Sequence, residues 1–590
     1  MVVMLSSPNF PKGWMVMKTT TKEKGLLKKM IGCVALLLLL LPAGALAEKI
    51  KDLWVTGLVP GQEQGEAMQG EAPDPAVHWW YSSKERKYYL FLPAGTDAGA
   101  LHLWFDKSAD SVSIDGKKIQ SGDAAPFLTP GKEIVLLCGK TRHTLAVMQS
   151  KNVPALFVTT ESGSLKKIHA NKKNQEPGTL VMLNADGSLE YEGLLTQVKG
   201  RGNSTFALNK KPYQIKLDKS TDLCGMGKSK TWVLLANFHD NSLIRNSIAF
   251  ALADAVGLEY TSRFQQTDLY INQEYYGTYL LCEKVEVGNA RVDIRDLEEE
   301  TEELNGQKLE DFRRFGSNSY GINKIKGFEI PKDPDDITGG YLMELDYKMR
   351  YKNEVSGFVT KRGQAVVLKS PEYASKAQVE YIRDFMQGFE NAIFSSGGID
   401  SKSGKHYSEF VDMPSLLKKY LLEEILKNYD ANRSSLFFYK PADEQSPLAM
   451  AGPAWDYDSS IGNYGNERNQ DTRQPEQISV GTDGAEPFYW LTALYKQPDF
   501  KAAAIKMYYE EFVPVLEHIL GQGSNAFSST PTIDSLVDEV EASAAMNFTR
   551  WPVFNIQARP VKTGANYKEN IDYVRNFLKE RMEFLADTWK

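Results

Sequence analysis

KGRGNSTFALNKKPYQIKL, residues 199–217, turns on two glycines and then alternates with period two through Tyr213-Gln214-Ile215-Lys216-Leu217. Arg201, Gly202, Asn203 and Ser204 place a cation, a free backbone and small polar side chains in one turn. Such a turn can offer backbone N–H groups and positive charge to an anion. Lys216 falls on the strand that follows, where an inward-pointing ammonium would hold a phosphate. A tight hairpin turn is the plainer reading of the same residues.

On either side the pattern predicts alternating strands and helices. Val181–Leu183 with Asn184-Ala185-Asp186-Gly187 suggests a hairpin. From Ser242 to Val256 apolar residues recur at three- and four-residue steps, an amphipathic helix with Asp240 or Ser242 as N-cap and Gly257 as its stop. Thr267–Asn272 and Tyr276–Glu283 form a second hairpin. Residues 297–338, opened by Glu298-Glu299-Glu300-Thr301-Glu302-Glu303, read as a polar surface insertion or mobile loop. A helix from Met413 to Lys427 leads to Asp430, followed by strand candidates Leu436–Tyr439 and Met450–Trp455. Residues 486–590 are mostly helical. Upstream, residues 48–155 show short apolar-aromatic runs with turn signals about every ten residues, which argues a small β-sandwich. That module would bind a glycan or protein, or serve as a spacer.

Two acidic clusters stand where apolar elements end: Asp430, with Ser435 five residues on, and Trp455-Asp456-Tyr457-Asp458. On an extended strand Asp456 and Asp458 would point to one side, and oxygen ligands in small number suit Mg²⁺. An Asx turn or a helix cap is the alternative for each. The order of glycine-rich turn, strand Lys, helix, strand pair, helix, Asp, strand, Asp is the order protein kinases use.

With these pieces in place the chain from about 155 to 590 resembles the spore-coat protein H (CotH) kinase family. The matching stretches are residues 199–217, WVLLANFHDNSLIRNSIAFALADAVGL (232–258), DLYINQEYYGTYLLCEKV (268–285), GGYLMELD (339–346), NYDANRSSLFFYK (428–440) and PAWDYDSSIGN (453–463). FTRWP (548–552) and YVRNFLKERMEFL (573–585) also fit. The resemblance implies an α+β chain, an atypical protein-kinase-like two-lobed domain (156–590) behind the small all-β module. It implies Mg²⁺-ATP as cofactor and serine as acceptor. Carried over by motif, Lys216 binds phosphates with Arg201, Gly202, Asn203 and Ser204 near them. Asp430 takes the acceptor proton, Asp456 ligates Mg²⁺ with Asp458 as second ligand, and Glu283 falls where a hinge would meet adenine. Ser435 stands where kinases carry a metal-binding Asn, and Asp254 is a stand-in for the acidic partner of the Lys.

Composition narrows the classes. The 590 residues are 42% hydrophobic and 25% charged, which excludes a disordered or collagen-like chain. A net charge of -7 gives nucleic-acid binding no support. Lys22, Lys24, Lys28 and Lys29 precede the apolar run Ile31–Leu41 and Ala45-Leu46-Ala47, so residues 1–47 read as a cleaved export signal, with Met17 an alternative start. The run is short for a permanent span. Beyond it remain Cys138, Cys224 and Cys282, neither a disulfide scaffold nor a zinc site. Two functions follow: an exported atypical Ser/Thr kinase acting on a secreted or surface protein, or a non-catalytic surface binding or assembly protein on the same scaffold.

Overall fold

The computed structural model describes residues 53–59, 75–105, 111–139, 141–431, 433–464, 475–480, 489–523, 525–554 and 564–590. The export signal expected over 1–47 lies outside them. Among the described residues no helix is long and apolar enough to cross a membrane.

Strands alternate small turns with apolar-aromatic runs from Leu53 to Gln149 and form two sheets. One has four strands in the order Val77–His78, Leu53–Thr56, His102–Phe105, Asp123–Ala124. The other has six, from the edge strand Trp80–Ser82 through Lys87–Leu92, Thr141–Gln149, Glu133–Cys138 and Val112–Ile114 to Lys117–Ile119. Val55, Leu90, Leu103, Leu136 and Leu145 from both sheets share one apolar cluster, which also takes in Phe157, Leu183 and Tyr270. The strands expected in this region are present.

A closed barrel of seven strands follows: Ala155–Thr160, Gln175–Leu183, Leu189–Gly200, Tyr213–Asp222, Lys228–Leu235, Glu274–Glu283 and Phe264–Ile271, the last pairing in parallel with the first. Closure turns one face of each alternating strand inward. Leu156, Val158, Val198, Ile215, Leu217, Trp232 and Leu281 fill it. Phe157 turns outward to the N-terminal sheets. Val233, Leu280 and Cys282 turn outward into a second, larger core.

That larger core is built on a seven-stranded sheet, Arg314–Gly316, Ile325–Phe328, Ser356–Val359, Ala365–Ser370, Tyr341–Asp346, Leu436–Lys440 and Met450–Ala451. The helices Lys376–Ile393 and Met413–Ile425 contribute Val379, Ile382, Phe389, Leu416, Tyr420 and Leu421, and the C-terminal helix Tyr567–Thr588 adds Val574 and Leu578. The C-terminal region is helical as its periodicity predicts. The chain is therefore α+β.

Two expectations are corrected. Residues 297–338 are not one loop. Asp296 caps a helix Leu297–Asn305 by accepting from Glu299 N, and its first-turn glutamates suit the positive end of the helix dipole. Ile325–Phe328 then joins the sheet, with Lys326 buried beneath it. The helix expected from Ser242 runs Arg245–Ala255, and it is buried on every side from Arg245 to Ala253 because barrel and larger core both pack on it. Asp240 tethers its start. Its carboxylate accepts from Arg245 N at 2.9 Å and Ser242 N at 2.9 Å, and pairs with the Arg245 guanidinium at 2.5 Å, both side chains fully buried.

An unpaired buried guanidinium is costly, so Asp240→Ala should lower stability by about 3–5 kcal/mol in urea denaturation. A loss below about 1 kcal/mol would show that the pair does not anchor the helix.

Candidate functional site

The helix Met413–Ile425 ends in a turn that leads through Asp430 into the strand Leu436–Lys440. That strand lies between Tyr341–Asp346 and Met450–Ala451. The chain between Asp430 and Asp456 is thus one hairpin, and it brings both ends to the same edge. Ser435 and Asp456 each adopt the left-handed backbone region, with φ of 58° and 66°. Non-glycine residues enter it at a cost that surrounding contacts must hold. Here the two are joined directly, Ser435 Oγ donating to Asp456 Oδ2 at 3.2 Å, while Ser435 N donates to Glu344 Oε1 at 3.1 Å. Asp430 accepts from the Tyr347 hydroxyl at 3.1 Å.

Asp456 and Asp458 do not sit on an extended strand, as their spacing suggested. Left-handed Asp456 makes this a turn, and Tyr457 anchors it. Tyr457 N donates to Asn246 Oδ1 at 2.8 Å, from the buried helix, and Tyr457 Oη donates to Glu423 Oε1 at 2.7 Å. Burial, then repulsion by Asp458 and Asp430, raises the Asp456 carboxyl well above the usual aspartate range, with Ser435 and Arg201 working the other way. The three aspartates therefore meet electrostatically although 28 positions separate Asp430 from Asp458.

The barrel supplies the facing wall. Gly202 has a φ of 85°, and a Cβ there would fall 2.2 Å from Thr205 Oγ1, so the turn requires glycine. Arg201 lies over the Trp455 ring at 5.2 Å and shares the fields of Cys282, Asp456 and Glu344. Its Nη1 is buried with no hydrogen-bond partner among the described residues. Asn203 and Ser204 are exposed at the tip, and Asn203 Oδ1 accepts from Lys172 Nζ at 2.9 Å.

Lys216 stands farther along this wall. Tyr213, Ile215 and Leu217 occupy the barrel interior, so Lys216 points outward and is exposed. It shares the outer face with Lys199 and Arg201. In register it stands opposite Gln197, four residues back from Arg201, roughly 13 Å along the ladder. Lys199 is the intermediate cation, its ammonium disfavoured by burial and then by Lys284, Arg201 and Lys216. Glu283 is spoken for: its carboxylate pairs with Arg291 and accepts from Arg263 N at 2.8 Å. Asp254 is exposed near the far end of its helix.

Four residues of the site were not singled out from sequence. Glu344 and Asp346 project from one face of the strand Tyr341–Asp346, beside Tyr347. Lys369 bridges Glu344 at 2.9 Å and Glu354 at 3.1 Å. Burial alone would discharge Lys369, but the two glutamates hold it above the ordinary lysine range. Burial, then Glu344, pushes the Asp346 carboxyl up to about 7. The available signal was two acids at spacing two inside an apolar run, Met343-Glu344-Leu345-Asp346.

The CotH kinase protein family model matches residues 198–585, about two-thirds of the chain. The chain belongs to the CotH kinase protein family. No curated protein matches it. The match begins at Val198, just ahead of the glycine turn, and takes in Arg201, Asp430, Ser435, Asp456 and Asp458. The N-terminal sheets and the first two barrel strands precede it.

A nucleotide and a divalent cation are what such a family implies, and the residues present fit them. Asp456 and Asp458 are oxygen donors whose mutual repulsion a cation would relieve. Among the described residues no three acidic, His or Cys side chains form a ready-made metal cage. Mg²⁺ is commonly held by one or two carboxylates, with phosphates and water completing the shell.

The raised Asp456 carboxyl makes a prediction of sign. A carboxyl whose folded pKa exceeds its unfolded value is stabilising when protonated, and that stability is lost as pH rises from the unfolded value through the folded one. Without metal, Asp456→Asn should therefore raise the melting temperature by a few degrees near pH 8, with the gap closing near about pH 4. A lower melting temperature for the variant at both pH values would contradict the burial and repulsion described.

Proposed function

We propose that this chain is an exported atypical protein kinase that transfers the γ-phosphoryl group of ATP to a Ser or Thr hydroxyl of a secreted or surface protein. The observation that carries the proposal is the convergence of Asp430, Ser435 and Asp456 with Arg201 facing them from the glycine turn. The same placement supports a two-lobed, kinase-like reading. The barrel and its turn form one lobe, the larger sheet and helices the other, with the site where they meet.

Bound Mg²⁺-ATP would supply the electrophilic phosphoryl group and the charge that offsets the carboxylates. Asp456 and Asp458 would hold the metal, with the Ser435 hydroxyl orienting Asp456. Arg201, Lys199 and Lys216 would line the phosphates in order of increasing distance from Asp456. The turn at Gly202, Asn203 and Ser204 would bring its backbone close to them. Phosphoryl transfer needs positioning and charge neutralisation more than covalent chemistry. Asp430 accepts the proton of the attacking hydroxyl, and Tyr347, bonded to Asp430 at 3.1 Å, fixes the carboxylate's rotation. Ser435 offers a hydroxyl where an amide oxygen would reach a second metal, so one ion is the expected stoichiometry.

The alternative is a non-catalytic surface protein on this scaffold. The exposed Lys216, set back from the acids, is the observation that favours it.

Incubation of the chain with labelled ATP, Mg²⁺ and a serine-rich acceptor separates the two. Asp430→Ala and Asp456→Ala should each reduce transfer about 10³-fold or more, and chelation of the metal should abolish it. Arg201→Met should cost more than Lys216→Met. Equal label in wild type and Asp456→Ala would favour the alternative.

A further inference from the structure

FTRWP, residues 548–552, closes the helix Ile533–Arg550 far in sequence from the acidic site, and the proposed kinase chemistry assigns it no role. It faces instead the open edge of the N-terminal six-stranded sheet. Between the edge strand Trp80–Ser82, its following turn and the end of that helix lies a cavity of about 600 Å³. Trp80, Tyr81, Ser83, Lys84, Phe548 and Thr549 are among the residues that line it.

Part of this site precedes the family match and part belongs to it. Its chemistry is divided in the same way. Trp80 and Phe548 bring aromatic surface. Ser83, Lys84, Glu85 and Thr549 bring hydroxyl, ammonium and carboxylate groups around it. The parts are held in place. Trp80 neighbours Tyr89 at 6.0 Å across the strand pair, and the Arg550 guanidinium lies 5.1 Å over its ring and 4.4 Å over that of Trp551. Trp551 Nε1 in turn donates to Tyr276 O at 2.7 Å, fastening the motif to the barrel. Glu85 accepts from the Tyr89 hydroxyl, and Glu85 N donates to Ser82 Oγ at 3.3 Å.

A cavity of this size accommodates a small ligand. An anion is disfavoured because Glu85 stands beside Lys84. A wholly apolar ligand would strand the polar rim without partners. A pyranose has an apolar C–H face and a rim of hydroxyls, and it meets both requirements. We propose that this cavity is a saccharide-binding site, taking one or two pyranose rings, that seats the protein on a glycan. Pre-set aromatic and polar groups lower the ordering cost of such binding.

The full chain is titrated with cellobiose, maltose and N,N′-diacetylchitobiose, followed by saturation-transfer NMR and tryptophan fluorescence. Ala545 is exposed on the helix and lines the cavity, so Ala545→Trp fills it from the solvent side without cutting into the core. At least one disaccharide should bind with a Kd of about 1 mM or tighter. Ala545→Trp and Lys84→Ala, each checked for an unchanged melting temperature, should weaken it about tenfold or more. Asp456→Asn should leave it unchanged, which separates this site from the phosphoryl-transfer reading. No binding of any of the three up to about 10 mM, or undiminished binding in Ala545→Trp, overturns the proposal.

Discussion

Asp456 is a half-buried carboxylate set against two others, and much of the surrounding architecture answers that charge. Ionising it in place costs desolvation and repulsion from Asp458 and Asp430. Left alone, such a group would swing to solvent or stay protonated. Here Ser435 bonds it from the neighbouring turn, and Tyr457, the next residue, is tied to Asn246 and Glu423 in the core. The strained backbone at Ser435 and Asp456 is held by the same contacts.

Two cations near these acids have different standing. Lys369 is fully engaged by Glu344 and Glu354, so it neutralises its strand locally and has little left for a ligand. Arg201 is half-buried and stacked on Trp455, with its Nη1 buried and unpartnered among the described residues. A buried donor without an acceptor is uncommon and marks a place where an acceptor from outside the chain would fit. Arg201, unlike Lys199 on the neighbouring strand, shares the field of Asp456.

The N-terminal sheets are packed on the barrel rather than strung ahead of it. Phe157, Tyr270 and Tyr275 share their apolar cluster, and Ser150 Oγ meets Ser543 Oγ at 2.7 Å, with Ser543 Oγ donating on to buried Asp268 at 2.7 Å. The helix Ile533–Arg550 is common to both contacts, so the cavity under Trp80 and the acidic site belong to one continuous packing scheme. A ligand at the first would orient the second relative to its surroundings.

Period-two alternation was enough to read the strands from Tyr88 to Val147 and from Tyr213 to Leu217, and three- and four-residue steps were enough for the helices after residue 486. The order of Arg201, Asp430, Ser435 and Asp456, with the motifs around them, was enough to identify the family. Alternation has no sign, however. It states that Lys216 lies opposite Ile215, and only closure of the barrel decided that Ile215 is inside and Lys216 outside. Glu344, Asp346 and Lys369 looked like ordinary polar residues until strand pairing set them beside Ser435. The Glu-rich run at 298 looked like a solvated loop until Asp296 and the neighbouring sheet gave it a helix to start and a surface to cover. Local pattern determines which residues share a face. Which face meets which depends on contacts between residues hundreds of positions apart, and these exist only once the cores have closed.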